Sequence, residues 1–323
     1  MAESSGEFAL IDWIRRNSAR QPQVETGIGD DASVLRFDSG RTIVTADMLM
    51  DGVHFRLSES TPESVGRKCL AVNLSDVAAM AGQPTAAFLC LALPRTGGAP
   101  LAERLYDGMK PLAEQFNVEI AGGDTNIWDG PLVVSVTILG EPAGVEPILR
   151  SGAHPGDWLL VTGSLGGSLS GRHLTFTPRV QEAMALARSA SLHAMIDLSD
   201  GLASDLRHIL RESQVGALID ANTIPISDDV DPALSPAEQL HHALTDGEDF
   251  ELLLTLSPEQ GAALLQNPPV EARLTKIGTI SAEQRCLMVD FDGETVELPS
   301  GGWEHRFGST EPDDSPPSRG DTE

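Results

Sequence analysis

"IDLSDGLASDL", residues 196–206, is the stretch on which the reading of this chain turns. It places three aspartates, Asp197, Asp200 and Asp205, within nine residues, and the nearest cation in sequence is Arg207. Two carboxylates about 4 Å apart, at an effective dielectric near 20, repel by roughly 4 kcal/mol. The preceding "AMID" (194–197) is apolar and reads as a strand end, where an unpaired acid is costly. Ser199 suits the N-cap of the helix that follows and could also be a ligand.

The pattern recurs. Aspartates stand at predicted strand ends and helix starts in "GIGDD" (27–31), "TAD" (45–47), "NLSD" (73–76) and "GGD" (122–124). Asn73 and Asp76 lie three residues apart, on one helix face. Any one of these segments also reads as an ordinary turn or a solvated face. As a set they leave carboxylates at the ends of rigid elements, facing a cleft. Cations between them would relieve the repulsion. Oxygen-only donors suit Mg²⁺, which bridges carboxylates to substrate phosphates, so the set suggests phosphoryl chemistry.

The whole chain limits the alternatives. Its 323 residues predict two domains. Asp and Glu number 48 against 22 Lys and Arg, a net charge of -26. Such a chain is a poor partner for nucleic acid or an anionic membrane. Three scattered cysteines show neither a disulfide framework nor zinc spacing, which fits a reducing cytoplasm. The N-terminus lacks the basic and apolar regions of a signal peptide. The longest uncharged stretch, 77–94, is broken by Gly82, Gln83 and Pro84 and is not a membrane span.

Periodicity predicts helices at 7–19, from 62 to about 82, and at 99–116, 178–190, 200–213, 235–244 and 258–266. Thr61-Pro62-Glu63 opens the second as cap, first-turn proline and first-turn acid. Strands are predicted at 33–37, 42–48, 85–93, 118–122, 132–139, 157–163, 215–220, 250–256 and 274–280, with a hairpin at 286–298 turning on Asp292-Gly293. "EPAGVEP" (141–147) reads as a linker, dividing the chain into domains at 1–145 and 146–308. A Pro-rich acidic tail at 309–323 reads as disordered. Alternating strands and helices in both halves predict α/β or α+β domains. There is no P-loop sequence and no protein-kinase signature set. "GSLGGSLSG" (163–171) is Gly-rich and follows a strand; it reads equally as a phosphate loop or a flexible turn.

The order of motifs resembles the thiamine-monophosphate kinase family. The blocks are "GIGDDASVL", "TADMLMDGVHF", "LAVNLSDVAAMAGQP", "AGGDTN", "RSGAHPGDWLLVTGSLG", "IDLSDGLASDLRHI" and "DGEDFELLLT", and the likeness runs from about residue 7 to 307. It implies an α+β, two-domain aminoimidazole ribonucleotide synthetase-like fold. The N-terminal domain would pair across a homodimer, and an α/β C-terminal domain would complete the site. It implies transfer of a phosphoryl group from ATP to thiamine monophosphate with several Mg²⁺ ions. Asp30, Asp31, Thr45, Ala46, Asp47, Asp76, Asp124, Asp197 and Asp200 would hold metal, with the order of Asp30 and Asp31 left open. Tyr106, Gly123, Asp124, Arg150 and Ser199 would contact ATP, and His54, Glu248 and Trp303 the thiamine phosphate. Asp76, Asp124, Asp197 and Arg150 would carry catalysis. Two departures stand out. Ala46 replaces the usual Thr or Ser, so a metal contact there would come from the backbone carbonyl, and the loop before "TPRV" is short. The alternatives are another ATP-dependent enzyme of the same superfamily and a non-catalytic acidic protein that binds divalent metal.

Overall fold

The computed structural model describes residues 24–26, 30, 33–37 and 40–303. The expected helix at 7–19, Asp31 and the tail at 309–323 lie outside these residues. The first helix described, α1 (Pro62–Ala79), begins as its sequence dictates. Thr61 is the cap, its Oγ1 accepting the Ser64 N–H at 3.2 Å, and Pro62 follows. This helix has apolar or small residues on nearly all sides and is buried along most of its length. A helix of that kind belongs inside a core.

Around it lie two sheets. The first has the order β1-β2-β3-β6-β4-β5. Its strands are β1 (Val24–Thr26), β2 (Ser33–Phe37), β3 (Gly40–Met50), β4 (Gly82–Pro94), β5 (Glu119–Trp128) and β6 (Val133–Pro142). All its pairs are antiparallel except β4–β5, so β5 is a parallel edge strand. It extends well past the 118–122 segment expected from sequence, and nearly all of it is exposed. Helix α2 (Gly98–Phe116) packs on α1. The two approach so closely that a Cβ on Gly66 would lie 2.0 Å from the Leu105 carbonyl oxygen.

The second sheet runs β13-β12-β9-β11-β7-β10-β8. It comprises β7 (Trp158–Thr162), β8 (Leu192–Asp197), β9 (Gly216–Asp220), β10 (Leu252–Leu256), β11 (Leu274–Ser281), β12 (Cys286–Val289) and β13 (Thr295–Glu297). Only β9–β12 is parallel. Four helices accompany it: α3 (Val180–Ser189), α4 (Leu202–Ser213), α5 (Pro236–Thr245) and α6 (Pro258–Gln266). Strand β10 is buried at every position, because both faces of the sheet are covered. Leu252, Leu254 and Leu256 join a core that also contains Leu70, Leu74 and Val77 of α1 and Val134, Val136 and Ile138 of β6. The opposite face packs Leu253, Ile196 and Val161 against Leu206 and Ile209 of α4 and Leu244 of α5. Helix α1 therefore belongs to both halves of the molecule.

Candidate active site

The last turns of α1 present polar side chains in two directions. Asn73 and Asp76 face β3, as their spacing predicts: Asn73 Oδ1 accepts the Asp47 N–H at 3.1 Å, and Thr45 Oγ1 donates to an Asp76 carboxylate oxygen. The Asn73 amide is anchored by its own bond to the Cys69 carbonyl. Ser75 points the other way and donates to Asp197 Oδ2 at 2.6 Å, with both groups buried. This bond joins residues 122 apart in sequence and brings the end of β8 against α1. Thr45, Asp47, Asp76 and Asp197 are thus gathered around one helix end. Ala46 sits between two of them with its side chain exposed.

The loop after β8 folds back on itself. Asp205, on the first turn of α4, accepts the Asp200 N–H at 3.1 Å. Burial pushes its carboxyl well above the usual carboxylate range, and the nearby charges of Asp200 and Asp197 add to the effect, while Arg150 opposes it. Asp200, Asp205 and His208 hold donor atoms within 4.8 Å of one another. Burial lowers His208 to about 3, helped by Arg150 and Arg211, so its ring is neutral at neutral pH. The Arg150 N–H donates to Asp30 Oδ1 at 3.0 Å, which ties Asp30 to the residue whose charge reaches this cluster. Ser199 is not the helix cap expected of it. The helix begins at Leu202 behind Gly201, which leaves Ser199 outside the first turn. Its carbonyl instead accepts the Glu248 N–H at 2.7 Å.

That contact brings in "DGEDFE" (246–251), an acidic run that is mostly buried. Every acid in it has a partner. Asp246 accepts from Gly167 N and contacts His242, and Glu248 pairs with Lys68. Asp249 accepts the Gly166 N–H and bonds to Arg172, while Glu251 meets Arg179 in a two-pronged contact. The Gly-rich turn after β7 is explained at the same time. Its Gly166 and Gly167 amides are directed at carboxylates of the chain itself, which favours a clamp over a phosphate loop.

Of the three residues that the resemblance assigns to the thiamine phosphate, His54 and Glu248 are joined through Lys68. Lys68 is fully buried, and its Nζ donates to the His54 carbonyl at 2.7 Å and to the Glu248 carboxylate. Glu248 has φ +54, a left-handed conformation unusual for a side chain of its kind. His54 Nδ1 accepts the Met50 N–H at 3.0 Å, so the neutral ring carries its proton on Nε2. The Trp303 N–H donates to the Asp200 carbonyl, and the residue is 53% exposed. Lys68, Ser75 and His208 are functional candidates that sequence reasoning gave no role. A lysine inside the apolar run "VGRKCLAV" is the signal that could have singled out the first.

Two expected residues stand apart. Asp124 is exposed on β5, three strands from β3, a separation of about 14 Å. Its carboxylate accepts from Asn126. Gly123 beside it is required by the backbone alone, since a Cβ there would lie 1.7 Å from the Leu89 carbonyl oxygen. Tyr106 is half-exposed on α2, over a hollow lined by Leu89, Leu91 and Ala102. Within one chain neither Asp124 nor Tyr106 is joined to the Asp76–Asp197 cluster by any described hydrogen bond.

Known proteins share this build. The family model described as AIR synthase related protein, N-terminal domain, matches residues 29–141, and its C-terminal counterpart matches 154–286. A thiamine-monophosphate kinase of Rhodopirellula baltica is 40% identical over 284 residues, covering 85% of this chain and 89% of the relative. That of Escherichia coli K12 is 37% identical over 325 residues, covering 93% and 98%. A solved structure, AaThiL complexed with AMPPCP and TMP, superposes with a TM-score of 0.79 at 31% identity, covering 93% of this chain and 97% of that one. With both halves matched in order and relatives this similar over most of their length, the chain belongs to the thiamine-monophosphate kinase family.

Proposed function

We propose that this protein transfers the γ-phosphoryl group of ATP to the phosphate of thiamine monophosphate, releasing ADP and thiamine diphosphate. The observation that carries the reading is that one helix, α1, holds both groups: Asn73, Ser75 and Asp76 near its end bind Asp47, Asp197 and Thr45, and Lys68, about 12 Å earlier along the axis, binds His54 and Glu248. One set suits the metal–nucleotide side and the other the acceptor side. Relatives named for this activity support the same assignment.

The carboxylates fit Mg²⁺. They are oxygen donors, and the repulsion that Asp200 and Asp197 add to the burial of Asp205 is what a divalent cation among the three would relieve. In this reading Asp30, Thr45, Asp47, Asp76, Asp197 and Asp200 would hold the ions, with Ala46 offering its carbonyl and Asp31 and Asp124 as further candidates. When bound, Mg²⁺ neutralises charge on the transferring phosphates.

The acceptor is a phosphate monoester, largely a dianion near pH 7 because its second pKa is about 6. It is already a nucleophile, so the chain need supply no strong base. Its residues position and shield instead. Arg150 brings a cation to the acidic cluster, where it opposes the charge around Asp205. Ser75 fixes Asp197, Thr45 fixes Asp76, and the protonated Nε2 of His54 is a donor suited to an anionic acceptor. Trp303 offers an aromatic face to the cationic thiazolium of the substrate.

Tyr106, Gly123, Asp124 and Ser199 complete the nucleotide side in this reading. For Tyr106 and Asp124 a homodimer through the first sheet supplies the context. Strands β3, β4 and β5 expose Met48, Phe88, Ile127 and Trp128, an apolar set on the first sheet that a second copy could cover. No helix among the described residues is long and apolar enough to cross a membrane. Cys69, Cys90 and Cys286 are all free thiols, in keeping with a cytoplasmic setting. The test is purified protein with ATP, MgCl₂ and thiamine monophosphate, quantifying ADP and thiamine diphosphate together. Equal amounts of both, absent without Mg²⁺, are expected. ADP without thiamine diphosphate would sink the reading.

A further inference from the structure

A second group of ligating side chains lies at the far end of β8 from Asp197. His154, Asp157 and His193 each contribute one donor atom, all within 4.8 Å of one another. His193 sits four residues before Asp197, about 13 Å away along the strand. Asp157 is buried, at 4% exposure, in the turn leading into β7. Its Oδ2 is 2.8 Å from His193 Nδ1 and 4.0 Å from His154 Nδ1. The two imidazole rings stand nearly perpendicular, their centroids 4.9 Å apart.

We propose that His154, Asp157 and His193 form a binding site for a divalent transition cation of the zinc type, independent of the aspartate cluster. A His193–Asp157 hydrogen bond would by itself satisfy the buried carboxylate. It does not account for His154, whose ring is turned over the pair at 4.0 Å, beyond hydrogen-bond reach. A tetrahedral ion with bonds of about 2.1 Å sets its ligand atoms about 3.4 Å apart, between the two separations measured here. Two imidazole nitrogens and one carboxylate oxygen form a donor set for zinc and its neighbours, whereas Mg²⁺ prefers oxygen alone.

The scaffold is prepared. The His154 N–H donates to Asp157 Oδ2 at 2.8 Å, and the Asp157 N–H to the His154 carbonyl at 3.0 Å. Gly156 N and Asp157 O are paired with Ile280, and Ala153 N donates to Ser213 Oγ at 3.1 Å. The turn is therefore held from three sides before any ion arrives, which lowers the ordering needed on binding. His154 is 70% exposed at its side chain, so water can reach the ion as fourth ligand. The ion would fasten the turn that follows Arg150 to the strand that ends in Asp197.

The test uses untagged full-length protein in excess MgCl₂, titrated with CoCl₂ and read by visible absorption, then with ZnCl₂. We expect one equivalent of four-coordinate Co²⁺, displaced by Zn²⁺, and a rise in Tm with Zn²⁺. Affinity should fall more than about tenfold in His154→Ala and vanish in the His154→Ala/His193→Ala double variant. His154 is exposed, so its replacement leaves the fold intact, and Mg²⁺-dependent turnover should not change. Absence of a four-coordinate spectrum overturns the proposal. So does a spectrum that persists in the double variant, which would place the ion on Asp200, Asp205 and His208.

Discussion

The two sides of the site differ in how complete one chain makes them. On the side built by 197–208 and 246–251, buried acids are met by named partners: Ser75, Lys68, Arg172, Arg179 and backbone amides. On the side built by β5 and α2, Asp124 and Tyr106 face outward, with Asn126 as the partner of the Asp124 carboxylate. The first side is organised before substrate arrives, because buried charge tolerates no vacancy. The second is left for other molecules to organise. Nucleotide, metal or a second copy of the chain can supply there what the first side finds within itself.

The sharpest way to break this contrast is Asp76→Asn. It keeps the size and the bond from Thr45 but removes a charge. A fall in kcat of about 1,000-fold or more is expected, with a native circular dichroism spectrum. A normal rate would remove Asp76 from the chemistry. Lys68→Met comes next. It leaves Glu248 without its cation and should lower kcat/KM for thiamine monophosphate about 100-fold. It should also cost roughly 3 kcal/mol in urea unfolding, the lower end for a broken buried pair because Glu248 is partly exposed. If Lys68→Arg restores stability without restoring KM, the lysine positions substrate and does more than hold the fold.

Trp303→Ala should raise KM for thiamine monophosphate about tenfold and leave KM for ATP within twofold. Equal changes would place the ring outside the acceptor side. The smallest effect on turnover concerns Asp249, whose carboxyl burial pushes up to about 7 against the pull of Arg172. The unfolded chain releases this proton near pH 4 and the folded chain near 7, so its contribution to stability declines as pH rises between them. The slope is about 1.4 kcal/mol per pH unit. Asp249→Asn should flatten the dependence of the urea midpoint on pH over that window. An unchanged slope would show that Asp249 titrates normally.

Much of the framework was legible in the sequence, and for local reasons. The Thr61-Pro62 start of α1, the β10 run and the hairpin turn at Asp292-Gly293 depend on neighbours within a few residues. Asn73 and Asp76 were legible as a pair because helix geometry alone puts them on one face. What stayed hidden depends on distance. Lys68 and Glu248 are 180 residues apart, and no local pattern announces that one will meet the other. Ser199 misled because an aspartate-serine run before a helix looks like a cap, whereas Gly201 takes that place. The extent of β5 was missed because exposed strands lose the alternation by which strands are recognised.

Helix α1 shares its side chains with leucines of β10 and with valines of β6, so the core that joins the two sheets does not close without it. The two matched family regions are units of descent, but they are not units of folding. Expressed apart, the first would show water an apolar helix, and the second would show Leu252, Leu254 and Phe250. Heat or urea should therefore take the described body apart in one cooperative step. A partial clip in the 143–157 connection should leave the two pieces bound to each other.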